Sequence, residues 1–240
     1  AYARIDQRFE GQDLQRFCKG TSSAKNFAVS FWVKSPKTGT HIVQLQDQDN
    51  SRNVSKAYTV SSANTWEKKE LIFPADTTGA FGNDNGGSLF LCFYLAVGTG
   101  YQGGTLQTTW GTPVNNTRAT GQVNVADSTS NDFYLTGVQM EASSYCSEFE
   151  HRSYGDELAR CQRYYEETYV MTDAGNSYVR VPVLYKVEKR AAGTPVSYAK
   201  RPDGVGTGAA NKVYQANGER DAVCNYSWTG GTMLFVTGYS

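Results

Sequence analysis

The chain has 240 residues, enough for one large domain or two modest ones, and its 23 lysines and arginines balance its 23 aspartates and glutamates. This balance argues against a nucleic-acid-binding protein, which usually carries a basic excess or stripe. No run of about 18 apolar residues is present, so no membrane insertion is expected. The 24 glycines, 16 tyrosines and 11 phenylalanines favour strands and turns over helices. The chain opens on Ala1 without a methionine or a leader-like segment, and we expect a fragment or a missing N-terminal part.

Residues 1–148 predict a jelly-roll-like β-sandwich, built from about eight or nine short strands between polar turns. In the clearest strand, 26–34, every second residue from Phe27 to Val33 is large and apolar, whereas Trp32 lies on the opposite face. Strand 88–97 is nearly all apolar, which is typical of a central strand covered on both sides. The other predicted strands are 40–45, 54–61, 66–73, 106–110, 121–125 and 132–141.

The pattern changes in a hinge at 149–166, where one short helix is predicted. Asp156 can cap a helix over 157–163. Two interpretations of this helix stay open: a junction of three copies on a threefold axis, or a linker helix docked on its own sandwich. The candidate oligomer interface is the apolar face of the segment: Leu158, Cys161 and Tyr165.

Residues 167–240 predict a smaller β domain. Pro182 lies within the first of its strands, which indicates an edge position or a bulge. This part holds few large aliphatic side chains and would be marginal alone, so packing against copies of itself is the simplest remedy. Its predicted strands are 178–187, 196–200, 212–216, 222–228 and 232–238.

The sequence offers no recognisable catalytic centre. The two histidines, His41 and His151, lie outside the G-x-S-x-G and H-E-x-x-H contexts of known hydrolases. Glycan cleavage needs two carboxylates about 5 to 10 Å apart, and nothing in the sequence brings any two of the candidate acids together. Those acids are Glu67, Glu70, Asp132 and Glu141.

Five cysteines occur, an odd number with no C-x-x-C pair, so neither a zinc site nor a disulfide framework is indicated. We expect free thiols, several of them buried, as in a chain assembled in a reducing cytoplasm. The cysteines are Cys18, Cys92, Cys146, Cys161 and Cys224.

Several segments, taken in order, resemble a group of bacteriophage structural proteins common in marine phages, usually described as tail fibre or other virion proteins. They are 11–15 (GQDLQ), 27–34 (FAVSFWVK), 65–69 (TWEKK), 136–141 (TGVQME), 149–158 (FEHRSYGDEL), 161–165 (CQRYY) and 178–192, which begins YVRVPV. The first 150 residues also resemble jelly-roll carbohydrate-binding modules. The resemblance implies a virion fibre that touches the host surface, assembled as a homotrimer in the infected bacterial cytoplasm, with other virion proteins and host glycans as partners.

Flat aromatic rings and amide groups are what a sugar ligand needs. The glycine-rich loop 98–113 offers Tyr101, Gln102 and Trp110 as candidate glycan contacts, and β-strand alternation adds Trp32. The alternatives are that Trp110 plugs one end of the sandwich and that Trp32 is covered by another segment or subunit. Trp66, at the start of a strand, is interpreted as a packing residue.

Two acidic clusters, at 47–50 and 83–85, supply oxygen ligands suited to calcium but lack the EF-hand spacing. Solvated turns are the preferred interpretation, and no cofactor is expected. The competing function class is a purely architectural spacer, collar or decoration protein that binds only virion proteins. An exposed aromatic patch with ordered polar neighbours would favour glycan binding, whereas aromatics buried between subunits would favour architecture.

Overall fold

The computed structural model describes residues 1–171, 179–190, 195–199, 213–216, 221–226 and 232–237. The chain forms two compact units, Ala1–Glu150 and His151–Ser240. Within the described residues, no helix is both long enough and apolar enough to cross a membrane.

Seven antiparallel strands build the first unit. Two sheets result, a four-stranded sheet in the order β1-β6-β3-β4 and a three-stranded sheet in the order β5-β2-β7. Successive strands change sheets repeatedly, so the predicted all-β, jelly-roll-like sandwich is confirmed. The strands are β1 (Tyr2–Glu10), β2 (Phe27–Lys34), β3 (Gly39–Asp47), β4 (Arg52–Val60), β5 (Glu67–Phe73), β6 (Gly87–Val97) and β7 (Tyr134–Ala142).

The core lies between the inner faces of the two sheets. On β2 the apolar stripe from Phe27 to Val33 is completely buried, as its alternation predicts. It packs against Leu91 and Phe93 of β6, and the Phe31 and Phe93 rings meet edge-to-face at 5.0 Å. Each such side chain contributes about 1.5–3 kcal/mol by leaving water, and this burial holds the sheets together.

The strands predicted at 106–110 and 121–125 are not strands in the structure. Residues 98–131 instead form a long connection with short 3-10 turns that runs over the outer face of the four-stranded sheet. Leu106 packs there beside Ile42 and Tyr94, and the Asn53 and Gly111 backbones form an isolated bridge. The prediction was wrong because Leu106 is held here by contacts of a covering loop and not by strand pairing. The connection does cover β6 on its second face, as predicted.

The second unit opens with helix α1 (Tyr154–Gln162). Its N-cap is Ser153, whose Oγ accepts a hydrogen bond from the Asp156 N–H at 3.2 Å. The cap predicted at Asp156 was therefore wrong, because Asp156 is the third residue of the helix and donates its N–H to the cap residue Ser153. The helix carries no buried side chain.

Among the described residues after α1, six strands form two three-stranded antiparallel sheets, β10-β13-β8 and β11-β12-β9. Pro182 lies on β9 at the edge of its sheet, which confirms the edge position expected for a residue without an N–H. The strands are β8 (Glu166–Met171), β9 (Val179–Leu184), β10 (Pro195–Ala199), β11 (Val213–Ala216), β12 (Asp221–Tyr226) and β13 (Thr232–Thr237).

Candidate functional site

Three large aromatic side chains are exposed together on the outer face of the three-stranded sheet. Trp32 is 41% exposed, Trp66 is 42% exposed and Tyr134 is 45% exposed. Trp32 and Lys34 point outward from the central strand β2, opposite to its buried stripe. Tyr134 pairs with Lys34 across the β2–β7 ladder, and Trp66 immediately precedes β5 on the other side. We call these four residues the aromatic face.

Lys34 lies between two of the rings. Its Nζ atom is 4.6 Å from the ring centroid of Tyr134 and 5.8 Å from that of Trp66. The two rings are themselves 6.3 Å apart and inclined at 61°. The ammonium is therefore held by both rings, which positions a hydrogen-bond donor between two apolar surfaces.

The Tyr134 hydroxyl donates a hydrogen bond to Oδ2 of Asp132 at 3.2 Å. This hydrogen bond, together with the carboxylate charge, raises the pKa of the Tyr134 hydroxyl. A carboxylate acceptor thus lies beside the ring, and the aromatic face carries both a donor and an acceptor.

A β-bulge in β7 makes room for Trp32. Ser30 pairs with Gln139 and Trp32 with Thr136, so two steps along β2 match three steps along β7. Gly137 lies in the bulge with φ +58°, and a Cβ atom there would come within 3.3 Å of Cδ1 of Trp32. Glycine therefore serves both the backbone conformation and the space beside the indole.

The remainder of this outer sheet face is covered by the chain itself. Residues 143–150 turn back over it: the Ser147 Oγ donates to Glu141 at 2.5 Å, and the Glu150 N–H donates to Gln139 at 2.8 Å. As a result Ala28 and Ser30, which share the outer side of β2 with Trp32, are buried. The aromatic face is thus a bounded patch at one end of the sheet.

The candidate loop contacts are placed elsewhere in the first unit. Trp110 is half-buried against the core; its Nε1 donates to the Pro74 carbonyl at 2.7 Å, and its ring lies 5.7 Å from that of Phe27. Tyr101 packs edge-on against Tyr2 at 5.1 Å, and Gln102 follows it in a half-buried turn. Neither Trp110 nor Tyr101 joins Trp32.

The candidate oligomer residues are exposed within the second unit. Leu158 is 40% exposed, Tyr165 is 48% exposed and Cys161 is exposed on α1. Cys18, Cys92, Cys146 and Cys161 are free thiols. The apolar face of α1 is therefore present, and its role in oligomerisation stays a prediction.

The first acidic cluster is not a solvated turn. Asp47 is completely buried and accepts a hydrogen bond from Nζ of Lys19 at 2.6 Å. That ammonium also contacts Asp76 at 3.1 Å and the Gly79 carbonyl at 2.7 Å. In the second cluster, the Asp84 carboxylate accepts a hydrogen bond from the Gly86 N–H and so stabilises the turn in which it lies. Across the part of the chain that the structure describes, no three His, Cys, Asp or Glu side chains are placed to hold a metal ion.

The candidate acids each accept local hydrogen bonds. Glu67 accepts from Lys69 at 2.6 Å and from the N–H groups of Ser61 and Ser62, and these bonds lower its pKa. Burial alone would raise the pKa of Glu141, but the hydrogen bonds that its carboxylate accepts from Ser147 outweigh burial, and the pKa is lowered. A general acid for glycan cleavage needs a raised pKa, and neither group is tuned that way.

Sequence reasoning identified Trp32 but missed its neighbours. Trp66 was assigned to packing, and the structure corrects this because its ring is on the outer face. Tyr134 precedes Leu135, which packs against the core, so alternation along β7 was a usable signal for an outward Tyr134. The pairing of β2 with both β5 and β7, which brings the rings together, is long-range and carries no local signal.

No protein-family model, no curated protein and no solved structure matches this chain.

Proposed function

We propose that this chain is a bacteriophage virion protein, part of a tail or head fibre, that contributes to attachment by binding glycans on the host surface. The phage assignment rests on the motif resemblance at 11–15, 27–34, 65–69, 136–141, 149–158, 161–165 and 178–192. The glycan assignment rests on the aromatic face. No catalytic role is part of the proposal.

One observation carries the glycan assignment: Trp32, Trp66 and Tyr134 are exposed on the outer sheet face, with the Lys34 ammonium between two of the rings and the Asp132 carboxylate beside Tyr134. Aromatic rings bury the apolar face of a sugar, and the ammonium of Lys34 and the carboxylate of Asp132 suit its hydroxyl groups. Strand-mounted side chains are also held in place before a ligand arrives, which reduces the entropy lost on binding.

The direct test is a glycan array probed with the full chain, followed by calorimetric titration of the best ligand. Trp32→Ala should weaken binding at least about 10-fold, since a ring that buries a sugar contributes on the scale of one buried apolar side chain. Tyr145→Ala is the matched control, because Tyr145 is 69% exposed but lies outside the aromatic face. Equal loss in both variants would contradict the proposal.

The architectural alternative gives a different pattern. In that case no glycan would bind, and Trp32→Ala would instead stop incorporation of the chain into virions. The homotrimer is a further part of the proposal, resting on the fibre resemblance and the exposed apolar side of α1. Light scattering of the purified chain tests it, and a monomeric mass would contradict it.

A further inference from the structure

A groove of about 570 Å³ lies at the side of the sandwich where β4 and β5, the edge strands of the two sheets, come together. This volume is in the range of small-molecule binding sites. Ile72, Pro74 and Leu106 give the groove an apolar part, and residues of β4 and of the connection add polar groups. The groove shares no residue with the aromatic face, so it is a separate candidate site.

Lys56 of β4 gives the groove its charge. Among the described residues that line the groove, it is the only charged one. It alternates with Val54 and Tyr58 of the core and therefore faces inward, but β4 is an edge strand, so the half-buried lysine opens onto the groove. Within the described part of the chain, its ammonium makes no ion pair and no hydrogen bond. An anionic ligand therefore complements this groove.

The connection forms one wall of the groove and is fixed against β4 on both sides of residues 108–109. The Ser55 N–H donates to the Gln107 carbonyl at 2.7 Å, and the Asn53 N–H donates to the Gly111 carbonyl at 2.9 Å. The two threonines between these anchors are exposed and line the groove. Their hydroxyl groups are thus held in place before a ligand arrives, which reduces the entropy lost on binding.

The free edge of β4 adds a backbone donor. Alternate residues of an antiparallel strand direct their N–H groups to the same side, so Ala57, two residues after Ser55, presents its N–H to the groove that it lines. Asn26 adds an amide: its Oδ1 accepts from the Ala75 N–H at 2.9 Å, which leaves Nδ2 as a donor. Only Ala57 and Thr59 remain on this side of β4, too few to pair with an added strand, so the groove suits a small ligand better than a peptide.

We propose that this groove is a second binding site, which takes an acidic sugar unit with its carboxylate on the Lys56 ammonium. The threonine hydroxyls at 108–109 and the Asn26 amide bind ring hydroxyls, and the apolar part of the groove contacts the carbon face of the ring. The inference rests on the proposed function in that the ligand is a glycan, and it adds the class: a polysaccharide containing uronic acid units.

The test records amide proton–nitrogen NMR spectra of the full chain during titration with sodium glucuronate, with glucose and with sodium acetate. Glucose carries a hydroxymethyl group in place of the carboxylate, and acetate carries the carboxylate without the sugar. Glucuronate should shift the amide signals of Ala57, Thr108 and Thr109, and the other two compounds should not shift them at the same concentration. Equal shifts from glucuronate and either comparison compound, or none from glucuronate, would overturn the inference.

Lys56→Met should lower the affinity for glucuronate at least about 10-fold, because it removes a charged hydrogen-bonding group and keeps much of the apolar stem. Lys37→Met is the matched control, since Lys37 lies outside the groove and pairs with Asp127 at 2.5 Å. Its affinity should stay within about twofold of the original, as expected for a screened charge. Equal weakening in the two variants would show a diffuse charge effect and overturn the site.

Thermal unfolding without ligand separates binding from structure. Lys56→Met should unfold at the temperature of the original chain or higher, because no ion pair or hydrogen bond of Lys56 is lost. A clear loss of stability would instead assign Lys56 to the scaffold and overturn its role in binding. The two proposals fail separately: Trp32→Ala should leave glucuronate binding unchanged, and Lys56→Met should leave binding of a neutral glycan at the aromatic face unchanged.

Discussion

Replacement of Lys19 by methionine tests how the first unit is held together. The Lys19 side chain is shielded from solvent. Its ammonium donates hydrogen bonds to the Asp47 carboxylate at 2.6 Å and to the Thr78 and Gly79 carbonyls at 2.9 and 2.7 Å, and it lies 3.1 Å from the Asp76 carboxylate. Methionine keeps much of the stem and removes the charge. Asp47 then stays buried without its cation, and two carbonyl groups lose their donor.

The expected loss is large because both partners are inside the protein: the Lys19 side chain is 1% exposed and that of Asp47 is 0% exposed. Breaking a buried ion pair by removing one partner destabilises a protein by about 3–5 kcal/mol. For a unit of about 150 residues, each kcal/mol lowers the midpoint of unfolding by about 2–4 °C. We therefore expect Lys19→Met to unfold about 10–15 °C below the original chain.

Scanning calorimetry of the full chain measures this, with Lys37→Met as the control. Lys37 pairs with Asp127, but both side chains are more than a third exposed, so solvent screens the pair and little stability should be lost. Asp47→Asn should lower the midpoint as well, because it leaves the Lys19 charge with fewer partners. If Lys19→Met and Lys37→Met unfold together, the buried pair does not stabilise the unit.

Two further outcomes follow from buried titratable groups. Burial lowers the pKa of His41 from its ordinary 6.5, against the opposing hydrogen bond to the Lys37 carbonyl. The unfolded chain therefore takes up a proton first, and the free energy of unfolding should fall as the pH drops below 6.5. Urea unfolding at about pH 7 and about pH 5 should show this loss, and His41→Phe should lack it; an equal loss in both would contradict the assignment. Cys92 is buried and burial raises its thiol pKa, whereas Cys161 is exposed, so iodoacetamide should alkylate Cys161 in the native chain and Cys92 only after unfolding, as peptide mass mapping would show. Native alkylation of both at one rate would refute this.

The sandwich was predictable where local pattern and burial coincide. The strict alternation from Phe27 to Val33 gave β2 its inner and outer faces, and Trp32 its exposure. The strand predicted at 106–110 was wrong because Leu106 and Trp110 pack against different surfaces without pairing as a strand. A sequence shows which side chains avoid water, but it does not show whether a sheet neighbour is available.

The candidate sites were less predictable because long-range pairing builds them. Trp66 and Tyr134 reach the same patch only because β2 pairs with both β5 and β7. Nothing in the local sequence marks Lys19 as buried, because Asp47 and Asp76 reach it only through the fold.

The mounting of the aromatic face on paired strands has an evolutionary consequence. Strand pairing fixes the distance between Trp32 on β2 and Tyr134 on β7, whereas insertions in the connecting loops leave that distance unchanged. Under the proposed function, a lineage meeting a new host coat would change its preference by single exchanges at Trp32, Trp66 or Tyr134. Loop length would remain free to drift, and the same sandwich would serve successive hosts without being rebuilt.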